Sequence, residues 1–161
     1  MDGNQVGGDW YDVLPLPDGA VGIAVGDVAG HDLRAAAAMG QLRGVVRSYA
    51  WDGDQPGSVL DRCDQLVQGL EMAAMATAVY ARLDPPDPDG TRTLHYANAG
   101  RPTPLLTSRA TTRMRTALLE RTVAAVPPGS DAETVVDDVL AACLPDPLRD
   151  DVALLAVRLN P

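Results

Sequence analysis

The chain has 161 residues, with 13 basic and 22 acidic side chains and a formal net charge of −9. The length predicts one domain that is large enough to bury a core of its own. The acidic balance argues against nucleic acid or an anionic membrane surface as the main partner. No apolar run approaches membrane-spanning length, and no basic-then-apolar signal segment begins the chain. A cytoplasmic location is therefore predicted.

The first predicted element is a β-hairpin. A strand begins at about Trp10, residues 15–19 (Pro-Leu-Pro-Asp-Gly) are typical of a turn, and the apolar run Ala20–Val28 predicts the second strand. Because antiparallel strands place the start of one beside the finish of the other, Asp9 and Asp27 are expected at the same open end. Carboxylates held at strand ends suit a hard divalent cation, although aspartate beside glycine is also common turn chemistry.

Two helices are predicted after the hairpin. Asp32 is a favourable N-cap for a helix from about Leu33 to Tyr49. Ser58, with Asp61 three residues later as a weak capping box, predicts the start of a second helix that ends at about Leu70. The apolar stripe of this second helix consists of Val59, Cys63, Leu66, Val67 and Leu70.

The sequence of the second half of the chain predicts more strands and one further clear helix. The basic segment Ser108–Arg121 is interpreted as a solvated amphipathic helix, with a phosphate-binding patch as the alternative. Strands joined mainly by hairpins favour an α+β fold, with an antiparallel sheet and helices packed outside it. The other predicted elements are strands at 76–83, 91–99, 104–107 and 152–159 and a helix at 131–143.

Ordered sequence blocks resemble one protein family. GGDWYD followed by GDVAGHDLRAAAAMGQLR, and then MATAVYARLD, LHYANAGRPTPLL and RDDVALLAVRL, are similar to the bacterial SpoIIE/RsbU-type branch of the PPM serine/threonine phosphatases. Blocks in the same order across roughly two thirds of the chain are more specific than any single motif. The resemblance implies a β-sandwich flanked by helices, with metal ions at one end of the sandwich.

The resemblance also implies a site for two Mn²⁺ or Mg²⁺ ions, which hold the attacking water. In the family the residue matching Asp27 bridges the ions, and no catalytic residue beyond the metal-held water is implied. The implied metal ligands are Asp9, Asp27, the backbone carbonyl of Val28, and Asp150.

Three other residues are candidates for supporting these ligands or contacting phosphate: His31, Asp151 and Arg101. His31 could transfer a proton or orient a phosphate, or it could simply form a turn. Arg101 stands where the family pattern usually has the histidine of NAGH. Its guanidinium could meet a phosphate or lie on the surface.

The chain departs from the family pattern because it contains no TDG motif, whose aspartate is another metal ligand. The expected organisation is a single SpoIIE-like phosphatase domain over residues 1–161, truncated at its N-terminus and internally near residues 107–110. The implied sandwich is then incomplete, with an exposed sheet edge.

Two functions follow from the resemblance and its gaps. The first is a metal-dependent phosphatase that hydrolyses phosphoserine on a bacterial regulatory protein, such as an anti-sigma-factor antagonist. The second is a catalytically degenerate relative that binds a protein partner or forms a homodimer. Metal-dependent turnover distinguishes the first from the second.

Overall fold

The structure is a computed structural model that describes residues 8–69, 75–102, 104, 127, 130–143 and 155–156. The chain divides into two compact units, Met1–Thr103 and Pro104–Pro161. In its described part the second unit contains one helix, α3, at Ala132–Cys143. The first unit contains β1 Trp10–Pro15, β2 Val21–Val28, α1 Leu33–Trp51, α2 Pro56–Gly69, β3 Ala76–Leu83 and β4 Leu94–Ala99.

The four strands form one antiparallel sheet in the order β1-β2-β3-β4. This arrangement, with helices outside the sheet, confirms the predicted α+β class with an antiparallel sheet. The strands predicted at 104–107 and 152–159 lie outside the described residues except for Pro104, Leu155 and Ala156, and those three are not in a strand. The basic segment 108–121 also lies outside the described residues.

Small residues on β2 allow large side chains to pack across one face of the sheet. Register pairs Gly26 with Trp10 and Ala24 with Tyr80, so these residues share a face. A Cβ at Gly26 would lie 2.5 Å from the Trp10 ring, and so glycine is required for this close packing. The helices supply the other side of the same core through Val46, Ala50, Val59 and Cys63.

Helix α1 begins as predicted, and α2 does not. The Asp32 carboxylate accepts hydrogen bonds from the backbone N–H groups of Arg34 and Ala35, at 3.0 and 2.9 Å. The Ala35 bond is the main reason why the pKa of Asp32 is lowered. Ser58 is not the cap of α2, because the helix starts earlier, at Pro56. The fixed φ of proline suits the first position of a helix, and this preference outweighs the weak capping box.

A buried acid links the sheet to α1. Asp12, whose side chain is only 6% exposed, faces α1 and pairs with Arg43 and Arg47. The hydrogen bond from Arg47 is the largest cause of the lowered pKa of Asp12. A carboxylate this buried is tolerable because two guanidinium groups neutralise and hydrogen-bond it.

A second charged cluster closes the end of the sheet that carries the β1–β2 turn. We call this cluster the turn end: Asp18, Arg82, Asp84 and His95. Arg82 donates a hydrogen bond to each of the two aspartates, with Nε 2.9 Å from Oδ1 of Asp84. His95 Nε2 lies 3.1 Å from the other oxygen of Asp84. Burial of Arg82 is thereby balanced by two acids from different loops.

Candidate functional site

The opposite end of the sheet brings together the first two acids of the predicted metal site. Trp10 pairs with Gly26, so Asp9 immediately before β1 lies beside Asp27 near the end of β2. The prediction that these two acids share one open end of the hairpin is confirmed. We call this region the open end and define it as Gly8, Asp9, Asp27, Val28 and Arg101.

Gly8 holds the two strand ends in close contact. The Val28 N–H donates a hydrogen bond to the Gly8 carbonyl at 3.1 Å. A Cβ at position 8 would lie 1.9 Å from the Val28 carbonyl oxygen and 3.0 Å from Oδ1 of Asp27. Since no side chain fits there, glycine at this position places the acid that follows it directly beside Asp27.

The connection from β2 to α1 carries His31. Gly30 has a φ of +118° in this connection, which favours glycine. His31 is exposed and lies just before the helix cap Asp32. This position agrees with the turn-forming interpretation of His31. A contact of its ring with a phosphate stays a prediction.

A tight turn after β4 delivers Arg101 to the open end. The Asn98 side chain accepts a hydrogen bond from the Arg101 N–H at 2.9 Å and donates one to the Arg101 carbonyl at 2.7 Å. Gly100 has a φ of +80°, and a Cβ there would lie 2.9 Å from Cγ2 of Thr77. Thr77 is the register partner of Asp27 across the β2–β3 ladder. The turn therefore lies against the strand that borders Asp27.

The guanidinium of Arg101 lies between the two acids. Its Nη2 donates a hydrogen bond to Oδ1 of Asp9 at 3.0 Å, and its Nη1 lies 3.7 Å from Oδ2 of Asp27. The side chains of Arg101, Asp9 and Asp27 are 18%, 12% and 40% exposed, respectively. Each terminal nitrogen thus faces a different carboxylate, in a setting partly shielded from water.

The open end offers ligand atoms of the type that a hard divalent cation prefers. Asp9, Asp27 and the Val28 carbonyl offer oxygen atoms, the ligands that Mg²⁺ and Mn²⁺ prefer. Across the described ranges no group of three or more His, Cys, Asp or Glu side chains is placed to hold a metal ion. Asp150 and Asp151, predicted to complete or support the site, lie outside the described residues.

The sequence pattern predicts that the two acids lie together and names Arg101 as a candidate, but it does not predict that Arg101 contacts both acids. Arg101 stands out in the sequence only because it replaces a histidine of the NAGH pattern. Its contacts with Asp9 and Asp27 depend on the pairing of β3 with β2 and of β4 with β3, which brings the turn to the open end. The signal available in the sequence is a single basic residue after Asn-Ala-Gly, which does not specify what the side chain meets.

The fold and the open end define the class: an α+β domain with a pair of acids at one end of an antiparallel sheet. The sequence model for Stage II sporulation protein E (SpoIIE) matches residues 17–117, more than half of the chain. The chain therefore belongs to the SpoIIE family, the RsbU-like branch of the PPM phosphatases, as the sequence blocks predicted.

A crystal structure of the RsbU and RsbW domains of a Mycobacterium tuberculosis protein is similar to this chain. The match has 34% sequence identity and a TM-score of 0.54 and covers 65% of this chain. It covers 28% of the matched chain, so the present chain spans less than a third of the length of that chain. The likeness supports the RsbU-like assignment for the shared region.

The helices α1, α2 and α3 differ from a membrane span in length or in polarity. Within the described part of the chain, no helix is both long enough and apolar enough to cross a bilayer.

Proposed function

We propose that this chain is the phosphatase domain of a bacterial signalling protein and hydrolyses phosphoserine on a regulatory protein, with Mn²⁺ or Mg²⁺ as cofactor. The observation that carries the proposal is the convergence of Asp9, Asp27 and the Val28 carbonyl at the open end. These oxygens come from two strand ends that Gly8 holds in contact. Membership of the SpoIIE family supports the reaction class.

Asp27 and Asp9 would hold the metal together with the Val28 carbonyl, and Asp150 is proposed as a further ligand. When bound, two divalent ions supply an activated water and neutralise charge on the phosphoryl oxygens. The chain's own contribution is positioning. Gly8 fixes the spacing of the two acids, and the Asn98 turn fixes the approach of Arg101.

The proposed substrate is a phosphoprotein of the anti-sigma-factor antagonist type, met in the cytoplasm. The similar structure contains RsbU and RsbW domains in one protein, which supports a regulatory protein as the partner. The net charge of −9 supports a protein substrate over a nucleic acid or an anionic membrane. His31, Asp151 and Arg101 remain the proposed phosphate-contacting or supporting residues.

The test is Mn²⁺-dependent dephosphorylation of a phosphoserine protein by the wild type and by Asp27→Asn. Loss of this proposed metal-holding carboxylate should lower kcat/KM by about 100-fold or more, and each tenfold corresponds to about 1.4 kcal/mol of barrier. Asp61→Asn is a matched control, because it makes the same change on the exposed surface of α2. Equal activity of all three proteins, or no metal stimulation, contradicts the proposal.

One observation favours a second function, that of a degenerate phosphatase that binds a phosphoprotein without hydrolysing it. The two acids at the open end are already paired with the guanidinium of Arg101. A folded protein that binds the phosphoprotein but shows no turnover at any Mn²⁺ concentration would establish this alternative. Association of two copies through a sheet edge would appear as a dimer in sedimentation.

A further inference from the structure

We propose that Arg101 is a tethered cation that occupies the acid pair of the open end and competes with divalent metal ions for it. The inference rests on the proposed function in one respect, namely that Asp9 and Asp27 are the acids that hold the metal. It goes further because it assigns Arg101 a regulatory role. The strength of the Arg101 contacts then sets the metal concentration at which the site fills.

The contact geometry supports competition. Nη2 of Arg101 is bonded to Oδ1 of Asp9, and Nη1 faces Oδ2 of Asp27, so one guanidinium uses an oxygen of each acid. A hard cation would need oxygens of the same two carboxylates. A divalent ion at that place would also bring two further positive charges next to the guanidinium. The two cations therefore exclude each other.

The burial of the three side chains makes this exclusion effective. Asp9 and Arg101 are 12% and 18% exposed, so their attraction is less screened by water and salt than that of a surface pair. Asp27 is 40% exposed, which leaves a route for an incoming ion from solvent. Entry from that side would first take Asp27 and then displace the guanidinium from Asp9.

The backbone of Arg101 is anchored independently of its guanidinium. The two hydrogen bonds with the Asn98 side chain hold its N–H and carbonyl, and Gly100 packs on Thr77. Displacing the guanidinium therefore requires rotations of one side chain and leaves the turn closed. Competition of this kind is reversible, and the acid pair is held together whichever cation occupies it.

The experiment compares Mn²⁺ binding by calorimetry in the wild type, Arg101→Gln and Arg62→Gln. Arg62 pairs with Asp54 in the loop after α1, and α1 itself is about 28 Å long, so this control removes one positive charge far from the open end. Arg101→Gln should bind Mn²⁺ about tenfold more tightly than the wild type or more, a typical size for coupling between two bound groups. Arg62→Gln should match the wild type.

Metal-free stability gives a second readout that does not depend on activity. Without its guanidinium, Arg101→Gln leaves Asp9 and Asp27 close together, so its melting temperature in chelator should fall by a few degrees. Added Mn²⁺ should raise the melting temperature of this variant more than that of the wild type. Arg101→Lys keeps the charge but lacks the planar guanidinium that reaches both acids. Its melting temperature in chelator should therefore lie between those of Arg101→Gln and the wild type.

The Mn²⁺ affinity of the Arg101 variants decides whether the inference stands. An affinity in folded Arg101→Gln that equals or falls below the wild-type value overturns it, as does the absence of Mn²⁺ binding in both proteins. If Arg101→Gln does not fold, Arg101→Lys decides by the same comparison. Tighter Mn²⁺ binding without turnover upholds the inference and removes the proposed phosphatase function. If the wild type hydrolyses the phosphoprotein but Arg101→Gln does not bind Mn²⁺ more tightly, the phosphatase function stands and the inference about Arg101 fails.

Discussion

An arginine lies between two aspartates at both ends of the sheet, and the two clusters are built in opposite ways. At the turn end the arginine belongs to strand β3 and is 10% exposed, while its partner Asp18 is 52% exposed. At the open end the arginine belongs to a turn, and Asp9 is the most buried of the three charged side chains. At the turn end, the more exposed acid Asp18 lies over a buried arginine of a strand. At the open end, an arginine from a turn lies over acids at the ends of strands.

The difference separates a structural ion cluster from a candidate binding site. Asp18 also accepts a hydrogen bond from the Ala20 N–H at 3.2 Å and so completes the hairpin turn. If Arg82 lost its contacts with Asp18 and Asp84, its guanidinium would stay buried in the sheet without an acid to pair with. At the open end, the guanidinium of Arg101 can move away from the acids without breaking any pairing between strands. The carbonyl of Val28 then stays beside the acids. The open end therefore tolerates exchange of its cation, and the turn end does not.

The largest expected effect comes from filling the close contact at the open end. Gly8→Ala should destabilise the fold by about 3 kcal/mol, because the new Cβ meets the Val28 carbonyl and overpacks a site that cannot expand. Gly19→Ala at the turn end should cost about 1 kcal/mol, since only its φ of +84° is unfavourable there. Urea unfolding measures both. Equal losses would show that the two ends do not differ in backbone packing.

The next prediction concerns the two arginines directly. Arg82→Gln should lower the free energy of unfolding by about 2 kcal/mol, because two acids lose the buried partner they share. Its Mn²⁺ affinity should not change, since the turn end lies at the opposite end of the sheet. Calorimetry and urea unfolding on the same samples test this. A Mn²⁺ response in Arg82→Gln like that expected of Arg101→Gln would remove the distinction between the two clusters.

Part of the loss of stability at acid pH should come from the turn end. The hydrogen bond from Arg82 is the main cause of the lowered pKa of Asp18. A lowered pKa in the folded state adds stability above the unfolded value of 3.8, and this stability is lost as the pH falls through the folded value. Asp18→Asn should therefore melt with a shallower loss of stability on acidification below pH 3.8 than the wild type. An unchanged acid slope in thermal melts contradicts this assignment.

The last prediction uses Cys63 as a reporter of global opening. Burial raises the pKa of this thiol to about 11, so it should be almost inert to alkylation at neutral pH in the folded protein. In a Cys143→Ser background, Gly8→Ala and Arg82→Gln should raise its labelling rate about tenfold for each 1.4 kcal/mol of stability that they lose, because labelling follows the population of the open state. Arg101→Gln with saturating Mn²⁺ should label like the parent. Rapid labelling of the parent protein would place the thiol nearer to solvent than the core allows.

The elements that the sequence determined by itself are those specified by local patterns. The hairpin over Trp10–Val28 follows from apolar runs around a Pro-Asp-Gly turn, and α1 follows from Asp32 and the alanine-rich segment after it. The proximity of Asp9 and Asp27 also follows from the sequence, because the antiparallel pairing of two strands determines which of their ends lie side by side. The predicted start of α2 was wrong by three residues, since a cap at Ser58 would make Val59 the first helical residue, whereas the helix begins with proline at position 56.

Only the tertiary structure decided which charges meet. Asp12 reads as one more acid in GGDWYD, and its pairing with Arg43 and Arg47 depends on α1 crossing that face of the sheet. Arg101 is 92 residues from Asp9 along the chain, and its contact needs three successive strand pairings in register. Long side chains reach partners that no local period encodes. The proximity of the two acids could therefore be predicted from the sequence, whereas the contact of Arg101 with both of them could not.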